Sequence, residues 1–310
     1  MGRYVLGIDI GGTNIKLGLL SSSGHIISRS YLTTKTFAST KSKLIDGLVE
    51  TILSIIRQNK LTKKDFKGIG VGLPGLVDSS SGVVKFLPNI PGWRNVPLKK
   101  ILERKLNLSV FIDNDAKVIT LGEWKFGAGR GVDNLLCMTL GTGVGGGLIL
   151  NGQLYRGVSN TAGEFGHVPL NENGPRCNCG GVACFERYVG NQHLLQRART
   201  IFKKNVTAVK DLGDWAAARD RDALRFWEET GRKIAQGLVT IVNLLNLERI
   251  VSGGGVAHNL PYMIRTIQKT LAERALKVPV SRVKIVQASL GNDAGILGTY
   301  VLVHNEKNFR

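Results

Sequence analysis

The sequence predicts an α/β protein of two lobes built around a duplicated core. Three observations carry that expectation. At 310 residues the chain is longer than one hydrophobic core ordinarily organises. Apolar runs of strand character are interleaved with stretches of helical period. The stretch VLGIDIGGTNIKLGLL (5–20) is echoed in length and pattern by LLCMTLGTGVGGGLIL (135–150), each a strand, a glycine turn and a strand. This is a duplicated supersecondary unit and not a short solenoid repeat, and a ligand is expected in the cleft between two such lobes.

The elements follow in order. YVLGIDI (4–10), IKLGLL (15–20) and HIISRSYL (25–32) read as an antiparallel meander with Gly-rich or Ser-rich turns. Residues 42–58 place Leu44, Leu48, Ile52 and Ile55 on one helical face, and GIGVGLPG (68–75) is a short apolar strand bounded by glycines. Pro97 stands near the start of the next helix, where a first-turn proline is favoured. VFIDND (110–115) is a strand that ends in polar residues ahead of a helix over 116–126. After the second hairpin, 222–246 reads as a long apolar helix, RIVSGG (249–254) as a buried strand and 293–304 as a closing helix. The expected lobes are 1–115, closed by a C-terminal helix at about 291–310, and a larger 116–290.

Composition narrows the class. With 43% apolar and 21% charged residues the chain reads as an ordinary globular protein, and no apolar run reaches the roughly 18 residues of a membrane span. MGRYVLGIDIGG enters a strand at once and lacks the basic and apolar regions of a secretory signal, so the cytoplasm is expected. A buried first strand also leaves no tail for a myristoyl group. The net charge of +19, from 42 Lys+Arg and 23 Asp+Glu, is spread over both halves, with knots at KLTKKDFK (60–67) and LKKILERK (98–105). Dispersed charge of this kind favours anionic metabolites in general; a nucleic-acid groove would cluster it.

DIGGTNIK (9–16) puts two glycines and a threonine between strands, just after a carboxylate. Bare backbone N–H groups in such a turn can approach phosphate oxygens, and Asp9 can hold a divalent ion such as Mg²⁺ directly or through water. A tight hairpin without a ligand is the competing reading. The second turn, LGTGVGGG (140–147), has more glycine than a structural hairpin needs, and SGGGVAHN (252–259) is a third cluster between a strand and a helix. The pattern of this third cluster is neither GxGxxG nor GxxxxGK[ST], so a nucleotide held across an actin-like phosphotransferase fold fits better than a Rossmann site or a P-loop. The candidate nucleotide-binding residues are Asp9, Gly11, Gly12, Thr13, Asn14 and Lys16, then Gly141, Thr142 and Gly143, then Gly254 and Gly255.

FIDNDA (111–116) ends a hydrophobic strand in Asp113, Asn114 and Asp115. Asp115 as a simple cap for the following helix is one reading. The other is that Asp115 and Asn114 supply the carboxylate and amide that a sugar hydroxyl needs in order to attack a γ-phosphorus. CNCGGVACFE (177–186) holds three of the four cysteines. In a cytoplasmic chain such thiols point to a metal, and Cys177 and Cys179 are too close for an unstrained disulfide. With His167 of GEFGHVPL (163–170), Cys177, Cys179 and Cys184 make a Cys₃His set for structural Zn²⁺, bracketed by Glu164 and Glu186. Cys137 lies in an apolar strand and reads as core.

Taken together, DIGGTNIKLGLL, GVGLPGLVD, PNIPGW, DNDA followed by LGE, LGTGVGGGLIL, GEFGH, CNCGGVACFE and SGGGVA resemble the ROK family (repressor, open reading frame, kinase) of sugar kinases and sugar-responsive repressors, in the family's order and over nearly the whole chain. The resemblance implies a ribonuclease H-like, hexokinase-type fold and an ATP-dependent kinase acting on the 6-hydroxyl of a hexose, glucose above all. Kinases of N-acetylmannosamine, N-acetylglucosamine or fructose are the alternatives, and a sugar-responsive transcriptional regulator is the alternative from another class. It also implies Asp115 as catalytic base, and Asn89, Asn114, Glu164, His167 and Glu186 as the sugar-binding set. ATP, Mg²⁺ and structural Zn²⁺, and a homodimer or dimer of dimers, come with it. The family's thiol motif usually reads CxCGxxGCxE, and Ala183 stands at its last glycine, a departure that bears on the turn and not on the ligands. Repressor members carry a helix-turn-helix ahead of this body, so a chain opening on the first strand is expected in the enzyme branch.

Overall fold

Strands β1 (Tyr4–Ile10) and β2 (Asn14–Leu20) form the first hairpin, with Asp9 opposite Lys16, and β2 continues antiparallel into β3 (Ile26–Thr33). The computed structural model describes residues 2–12, 14–34, 40–87, 92–202 and 205–305. Beyond β1 the sheet turns parallel, to β4 (Phe66–Leu73) and then β8 (Val110–Asn114), giving the order β3-β2-β1-β4-β8. A central strand covered on both faces should be apolar throughout, and Val5 to Ile10 are all buried. The helix Lys41–Gln58 lays Leu44, Leu48, Ile52 and Ile55 into this core, as their spacing predicts.

Between β4 and β8 the helix expected at Pro97 forms over Leu98–Leu106 with Pro97 as its N-cap, and ahead of it the chain builds a small antiparallel sheet that no sequence signal announces, of β5 (Leu76–Asp78), β6 (Val83–Phe86) and β7 (Arg94–Val96). Strands of three or four residues show too little alternation to be read from sequence.

By their internal contacts the residues form two compact units: Met1–Arg130 with Gln153–Ala162 and Asn292–Arg310, and Gly131–Gly152 with Gly163–Gly291. In the first, the helices Asp115–Phe126 and Ala294–His304 cross at glycines. A Cβ on Gly298 would lie 1.8 Å from the carbonyl oxygen of Val118, and one on Gly122 would lie 2.3 Å from that of Ala294. Backbone cannot give way as a side-chain tip can, so Gly298→Ala should destabilise this unit by at least the roughly 1–3 kcal/mol of ordinary overpacking. A thermal melt measures it, and an unchanged midpoint would refute the close crossing.

The second unit repeats the design. Strands β9 (Leu135–Leu140) and β10 (Val144–Leu150) form an antiparallel hairpin, and β9 runs parallel to β12 (Arg249–Gly253), which runs parallel to β13 (Lys284–Gln287). The run β10-β9-β12-β13 thus has the same directions as β2-β1-β4-β8. The short β11 (Gln153–Tyr155) falls in the first unit. The long helix Arg221–Leu245 begins where the Asp220 carboxylate accepts the N–H groups of Asp222 and Ala223, and ends at Asn246, whose φ of 47° is left-handed. Phe226, Trp227, Ile234, Leu238 and Val242 fill this unit's core. Among the described residues no helix is long and apolar enough to cross a membrane.

Candidate functional site

The first glycine turn is held closed by a hydrogen bond from Gly11 N–H to the carbonyl of Asn14, at 2.9 Å. Around Gly12 a Cβ would meet nothing within 4 Å, so the backbone there is open to an approaching group. Thr13 lies outside the described residues. Asp9 is buried, and desolvation holds its carboxyl above the ordinary range, with Lys16 pulling the other way from 3.6 Å. Two residues that no motif announced complete this corner. Lys16 Nζ donates to the carbonyl oxygen and Oδ1 of Asn292 (3.2 and 3.4 Å), and a Cβ on Gly295 would sit 2.6 Å from Asp9 Oδ2.

At the end of β8 the competing readings of Asp115 separate. The cap of helix Asp115–Phe126 is Asn114, whose Oδ1 accepts from Ala116 N (3.0 Å) and Lys117 N (3.4 Å). Its Nδ2 donates to the Gly75 carbonyl at 3.1 Å. Asp115 is therefore the first helical residue and not the cap, and its half-buried carboxylate stands in the first turn, where negative charge is favoured. Behind it, Asp113 is fully buried and paired with Arg156.

In the second unit the turn of Gly141, Thr142 and Gly143 closes by Gly141 N–H to Gly143 O at 2.9 Å, and the Gly141 carbonyl accepts the Asn191 N–H at 2.8 Å. Gly254, at φ 86°, packs on the strand leading into this turn; a Cβ there would be 2.4 Å from Leu140 O, whereas Gly255 faces open space. Glu186, expected among the sugar contacts, reaches this turn as well, its Oε2 accepting the Val144 N–H at 2.7 Å. A Cβ on Gly143 would lie 2.6 Å from the same oxygen. Gly143→Val should thus raise KM for the nucleotide and for the sugar together by roughly tenfold each, since one clash of about 1.4 kcal/mol suffices for that. Initial-rate kinetics in both substrates test this; a change confined to one KM would uncouple Glu186 from the turn.

The thiols and the imidazole converge. One donor atom each from His167, Cys177, Cys179 and Cys184 lies within 4.8 Å of the others. Cys179 Sγ and Cys184 Sγ are 3.6 Å apart, and Cys177 Sγ is 3.8 Å from His167 Nδ1. A tetrahedral ion with Zn–S near 2.3 Å requires edges of about 3.7 Å, so the donor set fits zinc. The Gly181 N–H points at Cys179 Sγ (3.4 Å) and lowers that thiol's pKa, while burial pushes Cys184 up to about 12. Ala183 holds the turn with φ 55°, the left-handed region natural to the glycine expected there. Glu164 precedes the short turn Phe165–His167, exposed to solvent. Asn89, also expected to bind sugar, lies outside the described residues.

A duplicated hairpin sheet with two glycine turns, and a carboxylate at a parallel strand's end, define the actin-like, hexokinase-type α/β fold. The chain belongs to the ROK family, whose pattern it matches over residues 5–306. It is 33% identical over 320 residues to the glucokinase of Halalkalibacterium halodurans, covering 99% of this chain and 96% of that one. It is also 31% identical over 300 residues to the xylose repressor of Bacillus subtilis, covering 97% of this chain and 77% of the repressor. A ROK family glucokinase from Streptomyces griseus, solved with glucose and AMPPNP, superposes with a TM-score of 0.77 at 30% identity, covering 96% of this chain and 98% of the other.

Proposed function

We propose that the chain is an ATP-dependent glucokinase that transfers the γ-phosphoryl group to the 6-hydroxyl of glucose. The observation that carries this reading is at the end of β8: Asn114 caps the helix, so the fold does not need the Asp115 carboxylate for that purpose. Asp115 takes the proton of the 6-hydroxyl as the oxygen attacks phosphorus, and Asn89, Asn114, Glu164, His167 and Glu186 hold the remaining hydroxyls. His167 turns Nδ1 toward the thiols, which leaves Nε2 for the sugar. The turns of Gly11, Gly12, Thr13 and Asn14 and of Gly141, Thr142 and Gly143, with Lys16, Gly254 and Gly255, receive the nucleotide, the open backbone at Gly12 facing its phosphates.

Asp9 suits Mg²⁺, which prefers oxygen ligands and would neutralise charge on the phosphates. The Cys₃His set suits a structural zinc, because four protein ligands leave no open position for chemistry. In this reading the protein works in the cytoplasm as a homodimer or dimer of dimers, at the entry of glucose into glycolysis.

A coupled assay over a hexose panel tests the substrate. Glucose should give the highest kcat/KM; a higher value for N-acetylmannosamine, N-acetylglucosamine or fructose would move the assignment to that kinase. The likeness to a xylose repressor supports a second reading, a sugar-responsive regulator. Sugar-dependent DNA shifts at physiological salt, with no ATP consumption on any sugar, would establish that reading instead.

A further inference from the structure

The residues on both sides of Asp115 are fastened by buried cations to a segment that the proposed reaction does not otherwise use. Asp113 is fully buried, and its Oδ2 receives both Nε (3.0 Å) and Nη2 (2.9 Å) of Arg156, whose own side chain is 9% exposed. Its Oδ1 accepts the N–H of Asn114 at 2.8 Å. On the other side, Lys117 is 2% exposed and donates its Nζ to the carbonyl of Asn160. Asn160 stands at φ 61° and is tied in turn to Asp78 Oδ1 (3.3 Å) and Ser79 Oγ (3.5 Å). Residues 156–160 are thereby bound to the strand before the base and to the helix after it.

Burying ions is costly, and an apolar pair of similar size would serve stability as well or better. What the ion pair adds is direction: Arg156 fixes one carboxylate oxygen of Asp113 while the other fixes the peptide N–H that leads to Asp115. We propose that Arg156 is a positioning residue for phosphoryl transfer, acting through Asp113 to aim the Asp115 carboxylate. The proposal rests on the reading of Asp115 as general base.

The test uses Arg156→Met, Arg156→Lys and the double variant Asp113→Asn/Arg156→Met in the full chain, each with its melting temperature. Displacing a catalytic group by about 1 Å costs on the order of 10²-fold, so kcat of Arg156→Met should fall about 10- to 100-fold, with KM for glucose and ATP within about threefold of the parent. Arg156→Lys should recover most of that loss, because a single oxygen of Asp113 is engaged and a point charge can reach it. Since Arg156→Met leaves a buried charge uncompensated and can fail to fold, the double variant, which removes both charges, carries the same kcat expectation. In an Asp115→Asn background Arg156→Met should cost nothing further, as expected of groups that act as one unit. A folded variant with kcat within twofold of the parent, a loss shared equally by kcat and both KM values, or an undiminished loss in the Asp115→Asn background would overturn the positioning role. High turnover in Asp115→Asn alone would instead overturn the reading of the base, whatever Arg156 does.

Discussion

Asp115→Asn should lower kcat by about 10²- to 10⁴-fold, the contribution expected of a general base in a reaction that is otherwise positioning and charge stabilisation. The fold should barely register the change. Asn114 makes the capping hydrogen bonds to Ala116 and Lys117; the Asp115 Oδ1 also accepts the Ala116 N–H at 2.8 Å, a bond the asparagine oxygen can keep, and the charge itself in the first turn is worth about 0.3–1 kcal/mol. KM for glucose should stay within a few-fold, because the asparagine keeps shape and hydrogen-bonding capacity while losing basicity. By contrast Asn114→Ala removes the cap and the bond to Gly75, and should cost about 1 kcal/mol of stability as well as activity. Steady-state kinetics and thermal melts of the two variants separate chemistry from folding. Near-normal turnover in Asp115→Asn would return that carboxylate to a purely structural role.

What the sequence revealed and what it hid follow the range of the interactions involved. The hairpins at 4–20 and 135–150 were legible because strand, glycine turn and strand are local signals, and the helix at 41–58 because one face repeats at 3.6 residues. The thiol cluster was legible through chemistry, three cysteines and a histidine within 18 residues having few other uses in a chain with one further cysteine. The identity of the cap was not legible, since adjacent Asn and Asp are equally good at that position and only φ and ψ decide between them. Arg156 was invisible because its partner is 43 positions away, and so was Asn292, 276 positions from Lys16. Glu186 was assigned to the sugar alone; its bond to Val144 arises only once the turn at 141–143 and the helix Glu186–Val189 have packed. Such pairings depend on tertiary placement, on which periodicity is silent.

One zinc ion per chain is the expected result of metal analysis on the purified protein, and Cys179→Ala should abolish it while weakening sugar binding more than nucleotide binding. Cys179 is exposed, so removing its sulfur leaves no cavity in the core, and the effect must come through the metal. The zinc ligands span residues 167 to 184, joined by bridges Pro169↔Cys184 and Arg176↔Val182 that are too short to hold the loop alone. With the ion lost, His167 and the neighbouring Glu186 lose their fixed positions, and changes in such supporting structure typically cost 10- to 100-fold, so KM for glucose should rise by about that factor. The first glycine turn has its own support in Asp9, Lys16 and Asn292, and should hold. The second shares Glu186 through Val144, so KM for ATP should rise as well, by about threefold, a small part of the sugar effect. Active enzyme free of zinc, with Cys177, Cys179 and Cys184 all freely titratable, would refute the structural metal; equal rises in both KM values would show that the loop supports the nucleotide turn as much as the sugar.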